Sequence, residues 1–272
     1  MRSETVSSAQ NPKIKMLLEL QEKSKTRRQE GLFVVEGQRE LEHCLNAGYK
    51  IHTIFICHEI AGEDGFRNIR RNLEDSGQGE SCIIVDIPRH LYEKVAYRGS
   101  TEGVIAELHC KKCGLEDLNI KKDPVIIVLE SVEKPGNIGA ILRSADAAGV
   151  DAVILCDSRS DLYNPNLIRS SIGGIFTVQT AVATSEETIR WLKGKGIKIY
   201  TAQLQDSEWY YDTDMSCGTA IVMGTEATGL TNLWREAADA HIKIPMLGRL
   251  DSLNVSVSAA ILMYEAVRQR NG

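Results

Sequence analysis

The feature that most constrains this chain is a regular alternation of apolar runs and helical patterns through its second half. The runs recur about every 20 to 27 residues. They lie at residues 125–129, 152–155, 175–178, 197–200, 219–223 and 241–244, and helical patterns occupy residues 138–148, 165–172, 185–193 and 231–238. Strands that are apolar throughout and separated by helices are typical of a parallel sheet covered on both faces. We therefore predict an α/β domain with a mostly parallel sheet.

The first part of the chain predicts a second, smaller α/β domain. Helical patterns cover residues 11–22 and 36–47, and apolar runs lie at residues 32–35, 54–56, 82–85 and 104–106. A polar segment with few apolar residues follows at 109–123, and few buried contacts can cross such a segment. The predicted organisation is one domain over residues 1–108, a linker over 109–123 and a second domain over 124–272.

Charge alone leaves the binding partner open. The net charge is −5 and the sequence pI is near 5.8, which argues weakly against nucleic acid. The distribution is uneven, however, because residues 11–28 carry six cations against two anions. The cations are Lys13, Lys15, Lys23, Lys25, Arg27 and Arg28. A solvated helix face explains such a run as well as an RNA-binding surface does.

Seven scattered cysteines predict reduced thiols and no disulfide framework. Cys110-Lys-Lys-Cys113, preceded by His109, has part of a zinc-site pattern. No second Cys/His pair follows at a matching spacing, so we expect a polar linker and no metal. The start of the chain has no apolar run, and no stretch approaches the ~18 residues of a membrane span. The predicted compartment is the cytoplasm.

The last predicted helix, residues 252–268, is apolar around most of its circumference. Such a helix must be buried on more than one side. Two interpretations stay open: it lies in the core, or it packs across a subunit interface. We favour the second interpretation, which implies a homodimer.

Three glycine-containing loops follow predicted strands of the second sheet, at residues 133–143, 223–230 and 244–256. Open α/β sheets bind ligands at this edge. Asn137 is placed to cap the helix after the first loop, and Ser252 or Asn254 to cap the last helix. Arg143 would by spacing alone be a surface arginine. The glycines match neither the GxGxxG nor the Walker pattern, so the residues alone indicate a ligand site of another kind.

These loops resemble the three motifs of the SpoU/TrmH branch of the SPOUT RNA methyltransferases. The similar segments are Gly136-Asn-Ile-Gly-Ala-Ile-Leu-Arg-Ser-Ala145, Met223-Gly-Thr-Glu-Ala-Thr-Gly-Leu230, and Ile244-Pro-Met with Ser252-Leu-Asn-Val-Ser256, in the family's order. Tyr163–Phe176 is similar to the segment between the first two motifs, and the resemblance covers residues 124–270. Ala227 and Asp251 stand where the family more often has glycine and glutamate.

The first domain also resembles a family domain. Asn11-Pro-Lys-Ile-Lys15, Arg27-Arg28 and Gly31-Leu-Phe-Val-Val-Glu-Gly37 are similar to the ribosomal-protein-like substrate-binding domain of ribosomal-RNA members. The resemblance therefore implies ribosomal RNA as substrate. Two alternatives remain: a transfer-RNA 2′-O-methyltransferase, and a catalytically inactive RNA-binding homologue.

The resemblance further implies a function, a cofactor, a deep trefoil knot and a set of site residues. The reaction would move a methyl group from S-adenosylmethionine to a ribose 2′-hydroxyl. The implied catalytic residues are Arg143, Asn137, Glu226, Ser252 and Asn254. The implied cofactor-binding residues are Gly224, Glu226, Gly229, Ile244, Met246, Gly248 and Leu253. The expected RNA-binding residues are Lys13, Arg27, Arg28 and Arg143.

Overall fold

The structure, a computed structural model, describes residues 2–79, 82–97, 102–158, 160–225 and 228–271. Its contacts divide the chain into two units. Unit 1 comprises Met1–Lys111 with Asp161–Arg169, and unit 2 comprises Lys112–Ser160 with Ser170–Gly272. The division between residues 111 and 112 falls inside the predicted linker. The short segment Asp161–Arg169, which the sequence placed in the second domain, groups with unit 1.

Unit 1 contains a five-stranded mixed sheet. Its elements are β1 (Arg2–Thr5), α1 (Pro12–Glu22), α2 (Ser24–Glu30), β2 (Leu32–Glu36), α3 (Gln38–Asn46), β3 (Ile51–Ile56), α4 (His58–Asp75), β4 (Ile83–Asp86), α5 (Arg89–Val95) and β5 (Val104–His109). The strand order is β1-β4-β3-β5-β2, with β1, β4 and β3 parallel and β5 antiparallel to both of its neighbours. One core cluster joins the apolar side of α1 to β2, β3 and α5.

The elements after residue 111 alternate strand and helix, as predicted. They are a 3₁₀ turn (Leu115–Asp117), β6 (Val125–Glu130), α6 (Pro135–Ala148), β7 (Ala152–Cys156), α7 (Pro165–Ser171), α8 (Gly174–Thr177), β8 (Thr180–Ala183), α9 (Ser185–Gly194), β9 (Lys198–Ala202), β10 (Glu208–Trp209), a 3₁₀ turn (Tyr210–Asp212), β11 (Thr219–Met223), α10 (Asn232–Ala237), β12 (Ala240–Lys243) and α11 (Val255–Asn271).

The seven strands of unit 2 form a sheet in the order β10-β12-β9-β11-β6-β7-β8, and every described pair is parallel. Alternate residues of the central strands, such as Ile126 and Val222, pack against α9 and α10 with the buried Trp234. Helices α6 and α11 pack on each other and on the central strands. The prediction of a parallel sheet covered by helices is confirmed. The trefoil knot stays a prediction.

One predicted strand is wrong. The apolar run at 175–178 overlaps the helical turn α8, and the strand β8 begins only at Thr180. A short apolar run fits either structure. Here Gly174, Ile175 and Phe176 are buried, and the turn packs against α6.

The predicted linker is also more ordered than expected. Its first residue, His109, ends β5, and Leu115 is buried in the core of unit 2. Cys110 and Cys113 are partly buried. Among the described residues, no group of three or more His, Cys, Asp or Glu is arranged to hold a metal. Over the same residues, no helix combines the length and apolarity that crossing a membrane requires.

Candidate functional site

A cleft of about 460 Å³ opens at the carboxyl edge of the unit 2 sheet. It is bounded by the loops that follow β9, β11 and β12, together with the start of α11. Its lining includes Ala202, Gln203, Leu204, Gln205, Met223, Gly224, Thr225, Thr228, Gly229, Leu230, Arg235, Ile242, Lys243, Ile244, Met246, Asp251, Ser252, Leu253, Val255, Ser258 and Leu262. Carboxyl ends of neighbouring parallel strands meet at one edge, which is why loops far apart in sequence converge here.

The loop after β11 is folded tightly on itself. Thr225 and Gly229 exchange two backbone hydrogen bonds of 3.2 and 3.0 Å. A Cβ at Gly224 would lie 2.4 Å from the Gly229 carbonyl, so this position requires glycine. Gly229 itself has a φ of 68°, in the left-handed region. The two glycines therefore shape the cleft wall. Glu226, expected to be both catalytic and cofactor-binding, lies outside the described residues, as does Ala227.

The loop after β12 supplies the opposite wall. Ile244, Met246 and Leu253 line the cleft, as the resemblance implied, and so does Ser252. Gly248 is not among the lining residues. The structure therefore brings together five of the described cofactor candidates and leaves Gly248 apart, exposed on the loop.

Asn137 and Asn254 meet although 117 residues separate them. The Asn254 side chain donates to Asn137 Oδ1 at 3.2 Å. Asn254 also caps α11, because its Oδ1 accepts from the Ser256 backbone N–H at 3.0 Å. The helix accordingly starts at Val255, three residues later than predicted. Asn137 is not the N-cap of α6: Lys134 is, with Pro135 at the first helical position, so the capping prediction for Asn137 is wrong.

Arg143 belongs to the first motif and lies about two turns into α6, and its side chain is exposed. The helix beneath it is held firmly. A Cβ at Gly139 would overlap Ser170, whose hydroxyl donates to the Pro135 carbonyl at 3.0 Å. Arg143 is therefore presented to solvent from a fixed helix.

Arg27 is buried, contrary to the expectation of an RNA contact. Its Nε donates to Asp161 at 2.7 Å, and Nη1 donates to the Leu20 and Gln21 carbonyls at 2.5 and 3.1 Å. With the residue only 2% exposed, the guanidinium is occupied inside unit 1 and is not presented to phosphate. Arg28 is exposed, and Lys13 is half-buried and paired with Glu4.

The loop after β9 was missed from the sequence because it carries no glycine. Gln203 donates from its backbone to the Ile242 carbonyl at 3.0 Å and from Nε2 to the Gln205 carbonyl at 2.8 Å. Its Oε1 is buried and has no hydrogen-bond partner among the described atoms. The signal that could have found it is position: it follows a parallel strand at the same edge as the other loops.

A cysteine at the carboxyl end of β7 is unsuited to nucleophilic chemistry. Cys156 is the last residue of β7, and burial raises the pKa of its thiol to about 12. The thiolate is therefore scarce at neutral pH, and Cys156 serves as an apolar core residue.

Comparison with known proteins assigns both units. The SpoU rRNA Methylase family matches residues 124–264, and the MRM3-like substrate binding domain matches residues 11–106. The 23S rRNA (guanosine(2553)-2′-O)-methyltransferase RlmP of Bacillus subtilis is 28% identical over 259 residues, which is 95% of this chain and 97% of the relative.

Two solved structures match the chain along its length. An RNA 2′-O ribose methyltransferase is 34% identical with a TM-score of 0.82, over 99% of this chain and 100% of that one. An AdoMet-bound rRNA methyltransferase from Sinorhizobium meliloti is 26% identical with a TM-score of 0.87, over 98% of both chains. The family match spans more than half of the sequence and contains all three loops of the cleft, so the chain belongs to the SpoU rRNA methylase family.

Proposed function

We propose that the protein transfers a methyl group from S-adenosylmethionine to a ribose 2′-hydroxyl of ribosomal RNA. The observations that carry this proposal are the cleft at the carboxyl edge of the sheet, where residues of the second and third family motifs meet, and the hydrogen bond that joins Asn254 of the third motif to Asn137 of the first. Two relatives named as 23S rRNA 2′-O-methyltransferases, RlmP among them, support the same chemistry.

The residues present fit the cofactor. The cleft volume of about 460 Å³ falls within the ~300–1,000 Å³ of small-molecule sites. Leu230, Met246 and Leu253 offer apolar surface to an adenine ring, and backbone groups at Gly224 and Ile244 can pair with its polar edge. The buried, unpartnered Gln203 Oε1 marks a part of the cleft wall whose hydrogen bonding a ligand would complete.

When bound, the cofactor would supply a methyl group on a positively charged sulfur, which would leave as a neutral thioether as the methyl group passes to the 2′-oxygen and the hydroxyl proton passes to solvent. Asn137 and Asn254, fixed against each other, are placed to orient polar groups of the reactants. A guanidinium does not act as a base in proteins, so we assign Arg143 to holding the RNA phosphate and stabilising charge on the reacting oxygen.

Arg143→Ala tests this assignment. We expect single-turnover methylation of ribosomal RNA to fall at least about 100-fold, the order of magnitude for loss of one charge-stabilising group. Cofactor affinity and melting temperature should stay unchanged, because the side chain is exposed and outside the cleft lining. Lysine at this position should restore little, since it lacks the planar two-pronged contact. Arg190→Ala, an exposed arginine on α9, is the matched control.

A near-normal rate for Arg143→Ala would remove this residue from the mechanism. A wild-type protein that binds RNA but does not methylate it would favour the alternative of a catalytically inactive homologue.

The alternative of a transfer-RNA substrate is tested by comparing methylation of stripped ribosomal RNA with methylation of bulk tRNA. The substrate-binding domain favours ribosomal RNA. We assign the reaction to the cytoplasm, because its proposed substrate is ribosomal RNA. Because a sulfonium methyl group is already activated, we expect chelators to leave the rate unchanged.

We also propose that two copies of the chain pair through α11. Val257, Ile261 and Tyr264 share one side of this helix, and Val257 and Tyr264 are about half exposed. An apolar helix side of this kind fits a second copy of itself. Light scattering should give about twice the 30.1 kDa chain mass, and Tyr264→Glu should give monomers, whereas Val182→Glu on β8 should not. A monomeric wild-type protein at micromolar concentration contradicts the pairing.

A further inference from the structure

A buried carboxylate stands at the junction of two functional loops. Glu130 is the last residue of β6 and is 3% exposed. One of its oxygens accepts from the Thr231 backbone N–H at 2.8 Å, and the other accepts from the Thr231 hydroxyl at 2.6 Å. Both oxygens of this buried acid thus point at one residue, 101 positions later in the chain.

Thr231 ends the loop that forms one wall of the cleft. The loop begins at Gly224, directly after β11, and its last cleft-lining residue is Leu230. Thr231 itself precedes α10. A group that fixes Thr231 therefore fixes the point where the cleft wall returns to the body of the unit.

Glu130 also lies beside the start of the same loop. In the parallel pairing of β6 with β11, Leu129 is in register with Met223, so the next residues, Glu130 and Gly224, follow at the same end of the two neighbouring strands. The loop is closed across its middle by the hydrogen bonds between Thr225 and Gly229. Glu130 consequently holds the exit of this closed loop at a fixed distance from its entrance.

We propose that Glu130 is a positioning residue for cofactor binding, acting through Thr231 on the loop at 224–230. This assignment rests on the proposed function, because the ligand held by the loop is S-adenosylmethionine. Without the carboxylate, the Thr231 N–H and hydroxyl lose their acceptors, and the cleft wall no longer has one fixed conformation. The effect should fall on cofactor affinity and not on the chemical step.

The experiment compares Glu130→Ala, Glu130→Gln and Thr231→Val with wild type, using calorimetry with S-adenosylmethionine and steady-state kinetics. We expect Glu130→Ala to weaken cofactor binding about 10- to 100-fold and to raise the cofactor KM equally, with kcat at saturating cofactor within about threefold of wild type. Glutamine should restore most of the affinity, since its Oε1 can accept from the backbone N–H and its Nε2 can donate to the hydroxyl.

A purely structural role predicts a different pattern. Glu107→Ala removes an equally buried carboxylate from unit 1 and is the matched control: its melting temperature should fall while its cofactor Kd stays that of wild type. If Glu130→Ala behaves in the same way, the assignment is overturned. Should Glu130→Ala fail to fold, Thr231→Val must still raise the cofactor Kd, and an unchanged Kd would equally overturn it. A wild-type protein that binds no S-adenosylmethionine would instead remove the proposed function itself.

Discussion

Replacing Gly224 with alanine should damage the cofactor site while leaving the fold in place. The added Cβ would lie 2.4 Å from both the carbonyl carbon and oxygen of Gly229 and 2.6 Å from the Leu230 nitrogen. Ordinary contact begins at 3.4 Å, so the overlap with the carbonyl is 3.4 − 2.4 = 1.0 Å. All three atoms belong to the backbone, and no side-chain rotation can relieve the clash.

The expected loss of cofactor affinity follows from the hydrogen bonds that must break to make room for the methyl group. Separating the two strands of the loop by this distance breaks the paired hydrogen bonds between Thr225 and Gly229, each worth about 1 kcal/mol net. The total free-energy cost of the substitution is therefore about 2–3 kcal/mol, which is also typical of overpacking a tightly packed site. At 1.4 kcal/mol per factor of ten, cofactor affinity should fall about 30- to 150-fold.

Calorimetry with S-adenosylmethionine measures this loss directly, and a thermal melt reports the fold. Gly194→Ala is the matched control: it adds the same methyl group to the last turn of α9, where nothing lies within 4 Å. That variant should bind the cofactor normally and gain slightly in stability. Wild-type affinity in Gly224→Ala would show that the loop does not hold the ligand.

Three further predictions concern charged groups outside the cleft. Arg27→Ala should lower the melting temperature, because breaking a buried ion pair costs about 3 kcal/mol. Arg28→Ala should leave the melting temperature unchanged but weaken RNA binding, and the salt dependence of that binding should fall by about one ion. Thermal melts and filter binding measure the two effects. Arg270→Ala should destabilise unit 2 by about 2 kcal/mol in a denaturant titration, because this guanidinium donates to four backbone carbonyls that anchor the end of α11. The hydrogen bond that the His52 ring donates to the Glu107 carboxylate raises the pKa of His52. The stabilisation from this contact is therefore present below pH 6.5 and is lost as the pH rises through the raised pKa, and this loss should be absent from the pH profile of His52→Gln. Equal melting of the two arginine variants, an unaltered denaturation midpoint or an unaltered pH profile would contradict the respective prediction.

Strands β6, β7 and β11 could be predicted because every residue in them is buried, so that their sequences are almost entirely apolar. The strands that were missed have no such character. β1 reads Arg-Ser-Glu-Thr, and β10 is the pair Glu208–Trp209 at the sheet edge. Their backbone hydrogen bonds come from neighbours far away in the sequence, and such pairing leaves no local pattern.

Side-chain environment was the harder problem, and Arg27 with Arg28 shows why. The two residues are identical and adjacent on α2. One is buried and the other exposed. The difference depends on Asp161, which lies 134 residues away. A count of local charges cannot contain that information, so the basic run at 11–28 overstated the cations available to RNA.

At the cleft, in contrast to the basic run, the local sequence did carry a useful signal. The cleft lining mixes apolar side chains with polar ones such as Gln203, Arg235 and Asp251, and no local sequence pattern marks these polar residues as members of one site. What the sequence does carry is the absence of side chains at two close contacts: Gly224 against the backbone of Gly229, and Gly139 against Ser170. These contacts fix the loops and the helix that bears Arg143. Because such a site tolerates exchange of many lining side chains but not of these glycines, glycine spacing after parallel strands was the informative signal, and the pairing of Asn137 with Asn254 required the fold.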